Sequence, residues 1–310
     1  MLNALVSTEN MSKEDWLEWR NKGIGGSDAS VICGLNKYKS PVELWMEKTG
    51  KVEPTEAGES ALWGTLLEPV IRQEFTNRTG LEVNIEKSIL QHPFHPFMLA
   101  NVDGIIITPD NNACIFEAKT ANAFLANEWD NKIPEAYELQ VQHYMAVTNF
   151  AGTYVAVLIG GSNFKWFYVK RDDYLIELLI KLERKFWECV VKNKRPKLDG
   201  SKASADLLNR LYPKGKSKTA IELPEEALIL IRQYEEAHAD EEEGASRKDE
   251  AINKLKEMLG DNEIGKIADY TISWSNVNKE TFDSKLFKGD NPELYAKYLR
   301  DSSYRRFSIK

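Results

Sequence analysis

Only three cysteines, Cys33, Cys114 and Cys189, fall in 310 residues. They are scattered and odd in number, and none belongs to a Cys-x-x-Cys pair. The chain therefore carries no zinc-ribbon or iron–sulfur signature and fits a reducing compartment. Histidine is scarce too, with four in all, of which His92 and His95 share a proline-rich loop. No apolar run reaches the ~20 residues that a membrane-spanning helix needs. The N-terminal residues mix Lys13 and Arg20 with acids and tryptophans, which is not the basic-then-apolar order of a secretion signal. A cytoplasmic protein with no membrane partner is expected. Surplus positive charge is also missing. The net charge is −7, whereas nucleic-acid binders usually carry a basic footprint. Much of that deficit is local, because Glu235, Glu236, Asp240, Glu241, Glu242 and Glu243 crowd one late segment.

What is present is a core and a pair of strands with chemistry on them. Hydrophobic residues make up 42% and aromatics 10%, enough for a sizeable folded interior. Asn101–Ile107 and Ile115–Lys119 read as two apolar strands around a turn at Thr108–Asn112. A hairpin symmetric about Asp110 sets Asp103 opposite Glu117, with Cβ atoms ~5 Å apart. Strand alternation puts Lys119 on the face of Glu117. Two carboxylates that close repel one another and cost several kcal/mol to desolvate. A divalent cation resolves both costs, and a neighbouring lysine then completes a site suited to phosphodiester hydrolysis. The plainer alternative is that Asp103–Gly104 is only a bend and Glu117-x-Lys119 a surface pair.

The periodicity predicts helices over Asp15–Asn21, Ser27–Cys33, Pro41–Thr49, Glu59–Thr79, Ile133–Asn149 and Asp172–Asn193. Leu81–Leu90 reads as one strand, and Thr153–Ile159 with Phe164–Val169 as a hairpin across Gly160–Gly161–Ser162. This order predicts an α/β fold: a mixed central sheet flanked by helices, in a domain over residues 1–200. Arg195–Ser204 reads as a linker. Residues 201–310 read as an accessory interaction or oligomerisation region. They comprise one long charged helix or a helical hairpin broken at Gly244, over Pro224–Gly260, and short strands at Ile264–Asn276 and Arg305–Ile309.

Three further groups carry chemistry. Glu68 sits among apolar neighbours on the Glu59–Thr79 helix, as a third metal carboxylate or a solvated helix acid. Tyr137, Gln140 and Tyr144 share one helical face, lining a nucleic-acid groove or forming half of a core stripe. Gly25–Gly26–Ser27–Asp28 opens a helix with Ser27 at its N-cap. With Arg20 one helix end away, this is either an anion site or ordinary capping.

Together, Arg20…Gly25–Gly26–Ser27–Asp28–Ala29–Ser30, Gly64…Glu68–Pro69, Asp103–Gly104, Glu117–Ala118–Lys119 and Gln140-x-Gln142-x-Tyr144 resemble the lambda-exonuclease/YqaJ-type viral recombinase family of PD-(D/E)xK nucleases. The resemblance covers about residues 14–195, with Val102 standing where the motif has proline. It implies a restriction-endonuclease-like core and a Mg²⁺-dependent (or Mn²⁺-dependent) 5′→3′ exonuclease on linear duplex DNA. It further implies metal ligation by Asp103, Glu117, the Ala118 carbonyl and Glu68, and water activation by Lys119 with Gln140. A DNA or 5′-phosphate site is implied at Arg20, Ser27, Tyr144 and Gln142, and of Gln140 and Gln142 the family glutamine is taken as Gln140, which pairs with Tyr144. The expected partners are DNA ends, a single-strand annealing protein and further copies of the chain. A structure-specific endonuclease and an inactive DNA-binding scaffold are the alternatives.

Overall fold

A computed structural model describes residues 2–53, 58–216, 219–300 and 304–309. The chain divides into two compact units, Met1–Leu211 and Tyr212–Lys310. The first unit begins with β1 (Ala4–Ser7), α1 (Lys13–Asn21), α2 (Gly26–Ile32), α3 (Pro41–Lys48) and α4 (Glu59–Thr79). Then come β2 (Val83–Asn84), β3 (Ser88–Gln91), β4 (Leu99–Ala100), β5 (Gly104–Ile107) and β6 (Ala113–Ala121). A 3₁₀ segment (Ala123–Trp129) leads to α5 (Glu135–Thr148), β7 (Gly152–Ile159), β8 (Asn163–Lys170), α6 (Asp173–Val191) and α7 (Lys202–Leu211).

The central sheet has the order β2-β5-β6-β7-β8. The β5–β6 and β7–β8 pairs are antiparallel, whereas β6 and β7 run parallel, joined through α5. The fold is therefore a mixed sheet flanked by helices, as the element order predicts. Alternation along β6 sends Cys114 and Phe116 to one face, against Ile71 and Phe75 of α4. Ile115 goes to the other face, with Val155, Val157, Val141 and Met145. The sheet is thus covered on both sides, which explains strands of nearly continuous hydrophobicity.

Local signals end the helices where expected. Gly80 caps α4 at φ 72°, and Asn149 caps α5 at φ 59°, both in the left-handed region. Ser40 caps α3 by accepting from the Glu43 N–H, and Asp172 caps α6 by accepting from the Leu175 N–H.

Several expectations change. Leu81–Leu90 is two strands in two sheets, because β2 pairs with β5 while β3 joins β1 and β4 in a separate three-stranded sheet. On α4 only the Leu67, Ile71 and Phe75 stripe meets the sheet; Trp63, Leu66 and Val70 are exposed. The stretch read as a linker runs into α7, whose Ala203, Ser204 and Leu207 are buried, so the first unit extends to Leu211. In the second unit, α8 (Glu226–Leu259) is an unbroken 34-residue helix that passes through Gly244. It is followed by a hairpin of β9 (Ile264–Ile267) and β10 (Tyr270–Ser273). Then come α9 (Ser284–Asp290) and α10 (Pro292–Lys297). Residues 305–309 form no strand among the described residues.

One buried polar contact ties the first unit together. His143 Nδ1 lies 2.8 Å from Glu183 Oε1, and Nε2 lies 2.9 Å from the Leu99 carbonyl, joining α5 to α6 and β4. Both side chains are fully buried. Burial alone would lower the His143 pKa, but the Glu183 charge and hydrogen bond outweigh it and raise the imidazole above 6.5. Glu183→Ala should cost about 3–5 kcal/mol in urea unfolding, since it strands the buried imidazolium. The proton-linked part of this stability is full below the ordinary histidine range near 6.5. It should fade as pH rises through the raised native value, which a pH series of unfolding curves on wild type and Glu183→Gln checks.

Candidate active site

The β5–β6 register pairs Gly104 with Phe116 and Ile105 with Ile115, so Asp103, just before β5, stands across from Glu117. Asp103 Oδ2 accepts the Ala118 N–H at 2.8 Å, which fixes its carboxylate against β6. Glu117 is 3% exposed. Its Oε1 accepts from Lys119 Nζ and from Gln140 Nε2, each at 2.7 Å. Its Oε2 is buried and has no partner. The Gln140 amide also donates to the Tyr144 hydroxyl at 3.1 Å, so α5 supplies the second wall. Lys119 Nζ lies 4.9 Å from the Tyr137 ring centroid, a cation–π contact. Glu68, on α4, accepts from Arg72 at 3.2 Å and feels the Asp103 charge.

Three carboxyls here are held above their usual range. Burial comes first in each case. For Glu117 the Asp103 charge adds to it and the carboxyl is pushed up to about 8. Burial also raises Asp103, and burial with the Asp103 charge raises Glu68. Lys119 goes the other way from what burial dictates: the Glu117 charge and hydrogen bond keep its ammonium protonated. These are the marks of negative charge not yet neutralised.

A cationic wall faces this acidic one. Arg20 Nη2 donates to Ser27 Oγ at 2.8 Å and lies 3.9 Å from Asp28 Oδ1. Lys48 Nζ, almost fully buried, sits 2.9 Å from Asp28 Oδ2 and donates to the Arg20 carbonyl at 2.9 Å. Burial would raise the Asp28 carboxyl, but the Lys48 and Arg20 charges outweigh it and hold it down at about 2. The N-cap lies two residues earlier than the sequence predicts, at Gly25 instead of Ser27, and Asp28 accepts the Gly25 N–H at 3.1 Å. Ser27 is thereby freed from capping and turns its hydroxyl to Arg20. Gly26 lies so close to α5 that an added Cβ would fall 2.4 Å from Tyr144 Cε1. Only glycine lets α2 approach the tyrosine this closely.

Both walls line one cleft of about 220 Å³, to which Arg20, Ser27, Asp103, Glu117, Gln140 and Tyr144 all contribute. Lys119 adjoins it through Glu117. Gln142 does not reach it. Two residues on from Gln140, it points to the other side of α5, where its amide donates to the Lys170 carbonyl and accepts the Asp172 N–H. It therefore anchors the β8–α6 junction, whereas Gln140 lines the cleft. Sequence reasoning missed Trp16 and Asn101, which line the cleft and hydrogen-bond to each other at 3.1 Å. It also missed Lys48, whose position on α3 carries no local signal.

The donor set fits a hard divalent cation. It consists of oxygens, it includes a buried carboxylate oxygen without a partner, and its carboxyls repel one another. Among the described residues no three acidic, histidine or cysteine side chains are gathered closely enough to hold a metal by themselves. Two carboxylates completed by substrate phosphate and water is the usual magnesium arrangement.

The mixed sheet thus presents Asp103 and Glu117 at one cleft, with Lys119 bonded to Glu117 beside it. The YqaJ-like viral recombinase domain model matches residues 15–151. Over 312 aligned residues the chain is 41% identical to the uncharacterized protein YqaJ of Bacillus subtilis (strain 168), covering 99% of this chain and 97% of that one. The chain belongs to the YqaJ-like viral recombinase family. Among solved structures, an alkaline exonuclease from Laribacter hongkongensis aligns with TM-score 0.49 and 20% identity, over 59% of this chain and 94% of that one. A phage-related exonuclease from Haemophilus somnus 129PT aligns with TM-score 0.44 and 14% identity, over 57% and 99%. No helix among the described residues is long and apolar enough to cross a membrane.

A cation held by Glu117 would have to displace the proton that the raised carboxyl retains. Calorimetric Mn²⁺ affinity should therefore rise about tenfold per pH unit up to pH 8 and flatten above it. Asp103→Asn should weaken binding strongly at every pH. Affinity independent of pH between 6 and 8 would show that the cation does not compete with a proton held on Glu117 in that range.

Proposed function

We propose that this chain is a metal-dependent deoxyribonuclease that digests one strand of linear duplex DNA from its 5′ end. It would leave 3′ overhangs for a single-strand annealing protein. One observation carries this reading: Asp103 and Glu117, with Lys119 bonded to Glu117, share a single cleft with the Arg20–Ser27 wall. The family description, a viral recombinase domain, accords with work on DNA ends.

Asp103 and Glu117, with the Ala118 carbonyl and with Glu68 alongside, would hold Mg²⁺ or Mn²⁺. When bound, the cation polarises the scissile phosphate and acidifies a coordinated water. Lys119, kept as an ammonium by Glu117, is placed to orient the attacking water and to offset charge gathering on phosphorus. Gln140 is held by both Glu117 and Tyr144, so its amide has a fixed direction in which to position that water. Arg20 offers a planar fork for a terminal phosphate, with the Ser27 hydroxyl beside it. The Asp28–Lys48 pair fixes that fork from behind.

The test is digestion of end-labelled linear duplex with Mg²⁺, comparing 5′-phosphate with 5′-hydroxyl ends and including closed circular DNA. Loss of one strand from phosphorylated ends, with the circle intact, is the expected result. Cutting of the circle would make the protein an endonuclease, and no cutting would leave a DNA-binding module. Lys119→Ala should lower the rate by at least ~10²–10³-fold, as removal of a transition-state donor does elsewhere, without loss of the fold. Arg20→Ala should erase the preference for 5′-phosphate.

A further inference from the structure

The two most exposed aromatic side chains described in the first unit are Phe124, at 94%, and Tyr38, at 84%. Neither lies on a loose segment. Asn122 caps the 3₁₀ segment through the Phe124 N–H at 3.0 Å, and Ala123 abuts the backbone of Gly160. At the other end Trp129 is buried against Tyr137, whose ring carries the Lys119 ammonium. The Tyr38 loop is fixed by the Asn36 side chain, whose Oδ1 accepts the N–H groups of Tyr38 and Lys39 at 2.9 Å each. An ion pair between Lys37 and Glu128, 3.0 Å long, joins the two segments.

Both segments grow out of elements that carry the cleft. Phe124 follows Lys119 by five residues, so its Cα lies within about 18 Å of that lysine's. Stacked bases along a strand rise about 3.4 Å each, so this reach spans no more than about five nucleotides. An aromatic side chain carried on a fixed backbone segment exposes a large apolar area, and nucleobases are a natural complement to it on a chain that works on DNA. The Lys37–Glu128 pair is solvent-exposed and therefore weak, so Lys37 can trade its carboxylate for a phosphate at little cost.

We propose that Phe124 and Tyr38 form a stacking platform for nucleobases of the DNA strand that enters the cleft. The proposal rests on the nuclease reading above. Both act as positioning residues for substrate, at a distance from the reacting atoms.

The experiment uses the full-length protein and linear duplex DNA. Phe124→Ala and Tyr38→Ala should each raise KM roughly tenfold while kcat stays within about twofold, in line with the loss of one base-stacking contact. Phe124→Trp should restore KM. In a Lys119→Ala background, 2-aminopurine placed near the DNA end should be quenched on binding, and Phe124→Ala should remove that quenching. Wild-type KM and unaltered quenching in both alanine variants would overturn the platform while leaving the nuclease intact. A wild-type protein that cuts no DNA would overturn the nuclease reading, and the platform with it.

Discussion

Glu117 is the group around which the first unit is arranged. It sits inside a sheet covered on both faces, next to Asp103, where burying a carboxylate costs several kcal/mol unless it is compensated. The fold compensates only half of it. Lys119 and Gln140 share one oxygen, while the other has no partner. A group left this way is a poor stabiliser and a good ligand, and the raised Asp103 and Glu68 carboxyls beside it share the same unspent charge.

The helix that holds Glu117 through Gln140 also holds the opposite wall. Gln140 and Tyr144 are a turn apart on α5, and Tyr144 presses on Gly26, so α5 sets the spacing between β6 and α2. Elsewhere on the same helix, Gln142 and His143 clamp the β8–α6 junction and α6. The buried His143–Glu183 and Asp28–Lys48 pairs are costly as isolated contacts. Their use here is to leave few alternative positions for the helices that carry Gln140 and Arg20.

The site was legible where its information is local. Strand alternation and a symmetric turn are enough to place Asp103 against Glu117 and Lys119 beside it, and the observed register is that one. Helical spacing likewise brings Gln140 and Tyr144 together. What local pattern could not give is partnership at a distance. Lys48 and Glu183 look like surface charges in sequence and are buried through contacts with other helices. The N-cap shifted from Ser27 to Gly25 because Asp28 reaches back to the Gly25 N–H, a competition between two side chains that spacing alone does not decide. The Leu81–Leu90 apolar run reads as one strand because nothing in it marks the point where it leaves one sheet for another.

Burial and the Asp103 charge raise the Glu117 carboxyl, and the proposed cation site depends on that raised group. A ¹³C-detected pH titration of the glutamate carboxyls, assigned with Glu117→Gln and recorded with and without Mg²⁺, measures this directly. In the metal-free protein Glu117 should titrate at about 8, and Mg²⁺ should move its midpoint strongly downward. A midpoint at the ordinary glutamate value of 4.5 that Mg²⁺ leaves unchanged would contradict the account.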